Sequence, residues 1–121
     1  MTSEADYLKM IKRTYAPDTD RHVLFCMIGV AGEAGEIANL CQKGMRGDWN
    51  AEDMGLLKAK FDDATIERRQ ALLEECGGVL YFLTALAWRL GAPMEEVRRI
   101  NAEKLLSRLE RGTIRGDGDD R

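Results

Sequence analysis

Apolar residues recur along most of this chain at intervals of three and four positions, which is the spacing of one face of an α-helix. The spacing predicts helices over about residues 3–14, 19–43, 66–90 and 93–110. The second and third predicted helices carry the longest apolar stripes: Val23, Met27, Val30, Ala34, Ile37 and Cys41 in the second, and Leu72, Cys76, Val79, Leu83, Leu86 and Leu90 in the third. Strand-like alternation is almost absent, so the pattern predicts an all-α protein.

Capping and breaking residues set the predicted ends of these helices. Ser3, with Asp6 three residues later, resembles a capping box, and the residue before Pro17 is disfavoured in a helix. The two glycines in "KGMRGDWN" are predicted to end the second helix. Pro93 is predicted at the first position of the fourth helix. Four helices joined mostly by short turns predict an antiparallel four-helix bundle.

The whole chain, residues 1–121, is predicted to form a single domain with its own hydrophobic core. Two segments differ from the helices: a long connection over residues 44–65 and a polar tail over residues 111–121. Long connections in compact domains are often functional. Trp49 lies in this connection and has two interpretations: its ring stacks on a nucleobase, or it covers the bundle.

The net charge and the spacing of the cysteines indicate which partners, metal sites and compartment to expect for this protein. The net charge of −3 gives no indication of a general affinity for nucleic-acid backbones or anionic membranes. No stretch approaches ~18 consecutive apolar residues, and no basic segment leads into an apolar run at the N-terminus. Cys26, Cys41 and Cys76 lack the spacing of a zinc site and are predicted to be reduced thiols. We therefore expect a cytoplasmic protein without nucleic-acid or membrane partners.

The segment "GVAGEAGEIANL", residues 29–40, places two glutamates in an otherwise small and aliphatic run. Glu33 and Glu36 are neighbours on a helix, and Glu33 borders the predicted apolar stripe. Desolvating two carboxylates costs several kcal/mol per ion unless something compensates. A divalent cation would compensate, and Mg²⁺ prefers such oxygen ligands. The alternative is that both glutamates face solvent. The glycines at 29, 32 and 35 suit a close approach by another backbone.

Two later helices add to this constellation. In "ALLEECGGVLYFL", Glu75 borders the apolar stripe, whereas Glu74 points about 100° away. Acidic groups from facing helices of a bundle can converge on one metal. On the fourth helix, Asn101 lies within an apolar face, with Lys104 and Arg108 beside it. The pair of cations beside this amide is suited to binding a chain of phosphate groups. The alternative is that Lys104 and Arg108 are ordinary solvated charges.

Three segments in this order, "GEAGEIANL", "LLEECGGVLYFLTALAWRLG" and "NAEKLLSRLERG", resemble the MazG-like branch of the all-α nucleoside triphosphate pyrophosphatase superfamily. The resemblance covers residues 20–121. It implies cleavage of a nucleoside triphosphate to monophosphate and pyrophosphate, dependent on Mg²⁺ or Mn²⁺, with a role in nucleotide-pool house-cleaning. By this resemblance the catalytic metal ligands would be Glu33, Glu36 and Glu75, and the phosphate site would be lined by Asn101, Lys104 and Arg108. Together with the broad apolar surface, it also implies a homodimer or homotetramer.

One departure from the family pattern concerns the third helix. The pattern there is Glu-x-x-Asp, and this chain has Glu75 followed three residues later by Gly78. Three interpretations follow: the three glutamates hold Mg²⁺ with an additional water, Glu74 leans into the gap, or the site binds nucleotide without efficient turnover. The alternative function is therefore a catalytically weakened nucleotide-binding or helical interaction module.

Overall fold

The computed structural model describes residues 2–50 and 66–116, and within these ranges the protein is all-α, as predicted. Four α-helices follow in order: α1 (Glu4–Thr14), α2 (His22–Lys43), α3 (Ile66–Arg89) and α4 (Met94–Glu110). Their bounds agree with the predicted segments to within three residues at every end. Residues 51–65, which make up most of the predicted long connection, and residues 117–121 of the tail lie outside the described residues.

Local capping and breaking residues set the helix ends, and the predicted position of Pro93 needs a correction. The Ser3 side chain accepts a hydrogen bond from the Asp6 backbone N–H at 3.1 Å, so α1 has the predicted N-terminal cap. Pro93 was predicted as the first helical residue of α4, but its ψ of 155° makes it the N-cap. Beyond α2, a single π-helical turn (Gly44–Asp48) continues the helix, and within it Gly47 leaves the helical conformation with a φ of 100°, which favours glycine.

Helices α2 and α3 form an antiparallel pair along a seam of small residues. Gly29 of α2 faces Phe82 of α3, and Glu33 faces Gly78, so residue numbers rise on one helix as they fall on the other. A Cβ on Gly29 would lie 2.5 Å from Phe82 ring carbons, which is closer than real contacts permit. The glycine therefore gives the aromatic ring its place against α2.

Helix α1 crosses this pair and closes the small core. Ile11, Cys26 and Ala85 are fully buried and come from α1, α2 and α3 respectively. Tyr15, at the C-terminal end of α1, bonds its hydroxyl to His22 Nδ1 at 2.9 Å, so His22 ties the start of α2 to α1. Burial, followed by the hydrogen bond with the Cys26 thiol, raises the pKa of Tyr15 to about 12.

Helix α4 is fastened to the N-terminus of α1 by a carboxylate. Glu4 Oε1 accepts the backbone N–H of Glu95 at 3.2 Å, which supplies the N-terminal cap that Pro93 lacks. The other oxygen of Glu4 pairs with Arg98, which also bonds Glu95 at 2.6 Å. This contact holds the beginning of α4 against α1.

The predicted apolar stripes are not the surfaces on which α2 and α3 meet. The seam row of α2, which contains Cys26, Gly29 and Glu33, lies roughly 90° around the helix from the predicted stripe. Val23 and Met27 of that stripe are 37% and 53% exposed. In the single chain, therefore, α2 keeps much of its most apolar side uncovered.

The structure distinguishes between the two interpretations of Trp49. Its side chain is buried, with 6% exposed, and the Arg68 guanidinium lies 5.1 Å from the ring centroid. Trp49 therefore packs against the protein below a cation–π contact from the start of α3. In this arrangement its ring covers the helix pair and is not presented to a nucleobase.

Candidate functional site

Glu33 lies in the seam between α2 and α3. Its side chain is half-buried and rests on the backbone of α3 at Gly78. A Cβ added to Gly78 would lie 2.7 Å from Glu33 Cδ and 3.2 Å from Cγ, and would overlap Oε2. The carboxylate predicted to border the apolar stripe therefore occupies the helix–helix interface itself.

The other two predicted ligands lie one turn further along the same seam. In the antiparallel register that pairs Glu33 with Gly78, Glu36 is level with Glu75. Glu75 is half-buried, whereas Glu36 is exposed. The register therefore places carboxylates from two helices along one stretch of the seam, and their convergence on a metal stays a prediction. Within residues 2–50 and 66–116, however, no group of three or more acidic, histidine or cysteine side chains already surrounds one point as a metal site would.

Glu74 does not lean into the gap at Gly78. It is exposed and accepts a hydrogen bond from Gln70 Nε2 at 3.1 Å, one turn back along α3. The space beside Gly78 contains the carboxylate of Glu33 instead. Sequence reasoning missed this because it compared residues along α3 and not across the seam. The available signal was the pair of small residues at positions 29 and 78, which sets the register.

The predicted phosphate-binding residues lie on α4 in differing environments. Asn101 and Lys104 are exposed, and Asn101 is thus not buried in an apolar face of this chain. The reason is that α4 is anchored at its beginning, near Met94, while its later apolar side chains stay uncovered. Arg108 differs because it is only 6% exposed, and its carbonyl accepts the Thr113 N–H at 2.8 Å.

The two seam helices are also long and apolar enough to cross a membrane by length and composition alone. These segments are His22–Asp48, which includes the π-helical turn, and Ile66–Arg89. Core helices of soluble proteins share this length and composition. Glu36 lies near the middle of the first segment and is exposed, so a bilayer would have to accept a carboxylate near its centre.

Sequence comparison identifies a relative of this chain but no matching family model. The chain is 35% identical to the gene 37 protein of Mycobacterium phage L5 over 104 residues, which cover 86% of this chain and 81% of that protein. No family model matches the sequence. No solved structure matches it either. The resemblance to the MazG-like branch therefore stays a prediction based on three motifs. At this identity and coverage, the chain belongs to the family of the gene 37 protein of Mycobacterium phage L5.

Proposed function

We propose that this protein is a MazG-like nucleoside triphosphate pyrophosphohydrolase that requires Mg²⁺ or Mn²⁺. The observation that carries the proposal is the seam, where Glu33 is held against Gly78 one turn from the level shared by Glu36 and Glu75. Carboxylates in a helix–helix interface are costly without compensation, and they persist where a function requires them. The expected product pair, a monophosphate and pyrophosphate, fits a role in nucleotide-pool house-cleaning in the cytoplasm.

The residues of the seam fit a hard divalent cation. Glu33, Glu36 and Glu75 offer only carboxylate oxygens, which Mg²⁺ and Mn²⁺ prefer, and they come from two facing helices. The cradle at Gly78 supports this assignment because it places a carboxylate where the family pattern has an aspartate. When bound, the cation would offset the negative charge that develops on the leaving pyrophosphate.

The protein's own residues divide the remaining tasks. One of the three glutamates takes the proton from the attacking water as a general base. Lys104 and Arg108 bind the triphosphate oxygens, and Arg108 has the planar donors for a bidentate contact. Asn101 fixes the position of the phosphate chain beside them. These roles require positioning and charge complementarity rather than covalent catalysis.

In this proposal a second copy of the chain supplies two further helices, so that a four-helix bundle forms between two chains, whereas the sequence predicted a bundle of the four helices of one chain. The stripe of α2 that includes Val23 and Met27 contains no charged residue, and its members Val23, Met27 and Ala34 are exposed in the single chain. An antiparallel helix pair with one bare apolar side can pack against an identical pair to give four helices around a shared core. We therefore propose a homodimer or homotetramer.

Product analysis tests the proposed activity. Canonical and modified nucleoside triphosphates are incubated with the protein and Mg²⁺ or Mn²⁺, and pyrophosphate and monophosphate are quantified. We expect both products in equal amounts, and Glu36→Gln should lower kcat/KM by about 10²-fold. Glu74→Gln is the matched control, because Glu74 is exposed and bonded to Gln70 outside the seam.

The same assay distinguishes the proposed pyrophosphohydrolase from the alternative function. A nucleotide-binding or helical interaction module, weakened by the loss of the aspartate at position 78, would release no pyrophosphate with any substrate. Binding of a triphosphate without turnover identifies the nucleotide-binding module. Absence of both binding and turnover leaves the helical interaction module.

A further inference from the structure

The side-chain space of residue 78 is filled by a residue from the other helix. The Glu33 carboxylate lies where the Cβ of any larger residue at position 78 would be built, with its Cδ 2.7 Å from that point. Such distances are well below van der Waals contact, so Glu33 cannot keep this position beside a side chain at 78. The glycine and the placement of the glutamate depend on each other.

The neighbouring glycine shows that this is specific to one position. Gly77 precedes Gly78 on α3 and is exposed, and among the described residues no atom lies within 4 Å of a Cβ built on it. Gly77 and Gly78 each lower the helix propensity of α3 by a similar amount relative to alanine. Only the second faces α2 and contacts a carboxylate, so helix flexibility alone does not account for Gly78.

We propose that Gly78 is a positioning residue for Glu33. By lacking a side chain, it forms a cradle on α3 that holds the α2 carboxylate in the place where the family pattern puts an aspartate of α3. Glu33 is already one of the ligands in that pattern, so the chain keeps three carboxylates and places one of them in the space left by the fourth. This inference deepens the proposed function and rests on it insofar as Glu33 is a ligand of the divalent cation.

The geometry allows the cradle to be filled without unfolding the protein. The atoms that a new Cβ would meet belong to the end of a flexible glutamate side chain and not to backbone. Glu33 can rotate toward the open edge of the seam when residue 78 is enlarged. Gly78→Ala should therefore fold and redirect Glu33, which separates its effect on the site from its effect on the fold.

The first test measures the coupling between the two residues in the presence of a chelator. Gly77→Ala should raise the melting temperature, because alanine favours a helix over glycine. Gly78→Ala should raise it less or lower it, because Glu33 must leave the seam. In a Glu33→Ala background, Gly78→Ala should raise the melting temperature as Gly77→Ala does. Additive effects of Gly78→Ala and Glu33→Ala would overturn the proposed positioning.

The second test adds Mg²⁺ alone and follows the melting temperature as a function of its concentration. Preferential binding to the folded state raises the melting temperature of the wild type. We expect the half-saturating Mg²⁺ concentration to increase about tenfold in Gly78→Ala, the scale seen when a group that orients a ligand is lost. Gly77→Ala should retain the wild-type value. A wild-type value in Gly78→Ala would overturn the proposal.

The two tests fail in different ways. If the wild type and all variants ignore both Mg²⁺ and Mn²⁺, the proposed metal site is wrong. The coupling measured in chelator then still decides whether Gly78 positions Glu33. If the wild type responds and Glu33→Ala does not, while Gly78→Ala responds normally, the metal site stands and the positioning role is wrong.

Discussion

Among the individual residues of α4, Lys104 offers a cleaner test of the phosphate site than Arg108. Lys104 is exposed, so its truncation removes little packing, whereas Arg108 is 6% exposed and its loss would also disturb the fold. We expect Lys104→Ala to weaken binding of a nucleoside triphosphate about tenfold, the contribution of one charge-assisted hydrogen bond. Isothermal titration calorimetry in the presence of Mg²⁺ measures this directly.

Lys9→Ala is the matched control for this prediction. Lys9 is an exposed lysine on α1 that lies 3.8 Å from Asp6, and it has no assigned role in the site. Both variants should unfold within a few tenths of a kcal/mol of the wild type, as surface substitutions usually do. Equal triphosphate affinities for wild type and Lys104→Ala would remove Lys104 from the site.

The sequence predicted where chemistry-bearing residues lie along each helix better than what faces them across the seam. The sequence placed Glu33 and Glu75 beside the apolar stripes, whereas in the structure Glu33 lies in a seam roughly 90° around α2 from its stripe. The gap at Gly78 was interpreted along α3 alone, so water or Glu74 was expected to fill it. The occupant, Glu33, is 45 residues away in sequence, and only the register of the helix pair reveals it.

For the helices, the sequence predicted where each one begins and ends but not which side of it faces its neighbour. Local signals such as Ser3 and Gly91, with its φ of 78°, mark helix ends, so they can be read without knowledge of the tertiary structure. The rotation of α2 about its axis depends instead on the fit of Phe82 against Gly29. That fit turns Gly29 toward α3, whereas Gly32 and Gly35 are exposed, and it leaves the more apolar stripe on a flank. Hydrophobic periodicity identifies an apolar side but not its partner.

The close approach at Gly29 makes a prediction about the stability of the helix pair. Gly29→Ala gains up to about 1 kcal/mol of helix propensity. Its Cβ would overlap the Phe82 ring, which is itself packed edge-on against Tyr81 at a centroid distance of 5.2 Å. Overpacking of this kind typically costs about 1–3 kcal/mol. We expect a net loss of about 1–2 kcal/mol in the free energy of unfolding, measured by urea denaturation at one fixed chain concentration.

A second background identifies the cause of that loss. In Phe82→Leu the ring is absent, so Gly29→Ala should be neutral or stabilising by up to about 1 kcal/mol. If Gly29→Ala destabilises both backgrounds equally, the ring is not the reason that residue 29 is a glycine. The seam register derived from this contact would then need another origin.

In the molecule as a whole, few side chains are fully buried within a single chain, whereas many large apolar side chains are exposed. Ile11 and Cys26 are the largest fully buried side chains of the described residues. Large apolar side chains remain exposed on all four helices, including Met27 on α2 and Leu109 on α4. Contiguous exposed apolar surface marks a region that contacts something else. Part of that surface is the uncharged stripe of α2, in which Val23, Met27 and Ala34 are exposed.

Substitution within this stripe tests whether a second copy covers it. In a single chain Met27 is 53% exposed, so Met27→Glu should leave the fold intact. At an interface the same carboxylate would be desolvated without a partner, which typically costs several kcal/mol. We expect wild-type protein to sediment as a dimer or tetramer at micromolar concentration, and Met27→Glu to raise the dissociation constant at least about hundredfold. Met10→Glu is the control, because Met10 is 47% exposed on α1, away from the stripe. A wild-type monomer in sedimentation velocity, or wild-type protein that floats with lipid vesicles, would show that the stripe does not meet a second copy.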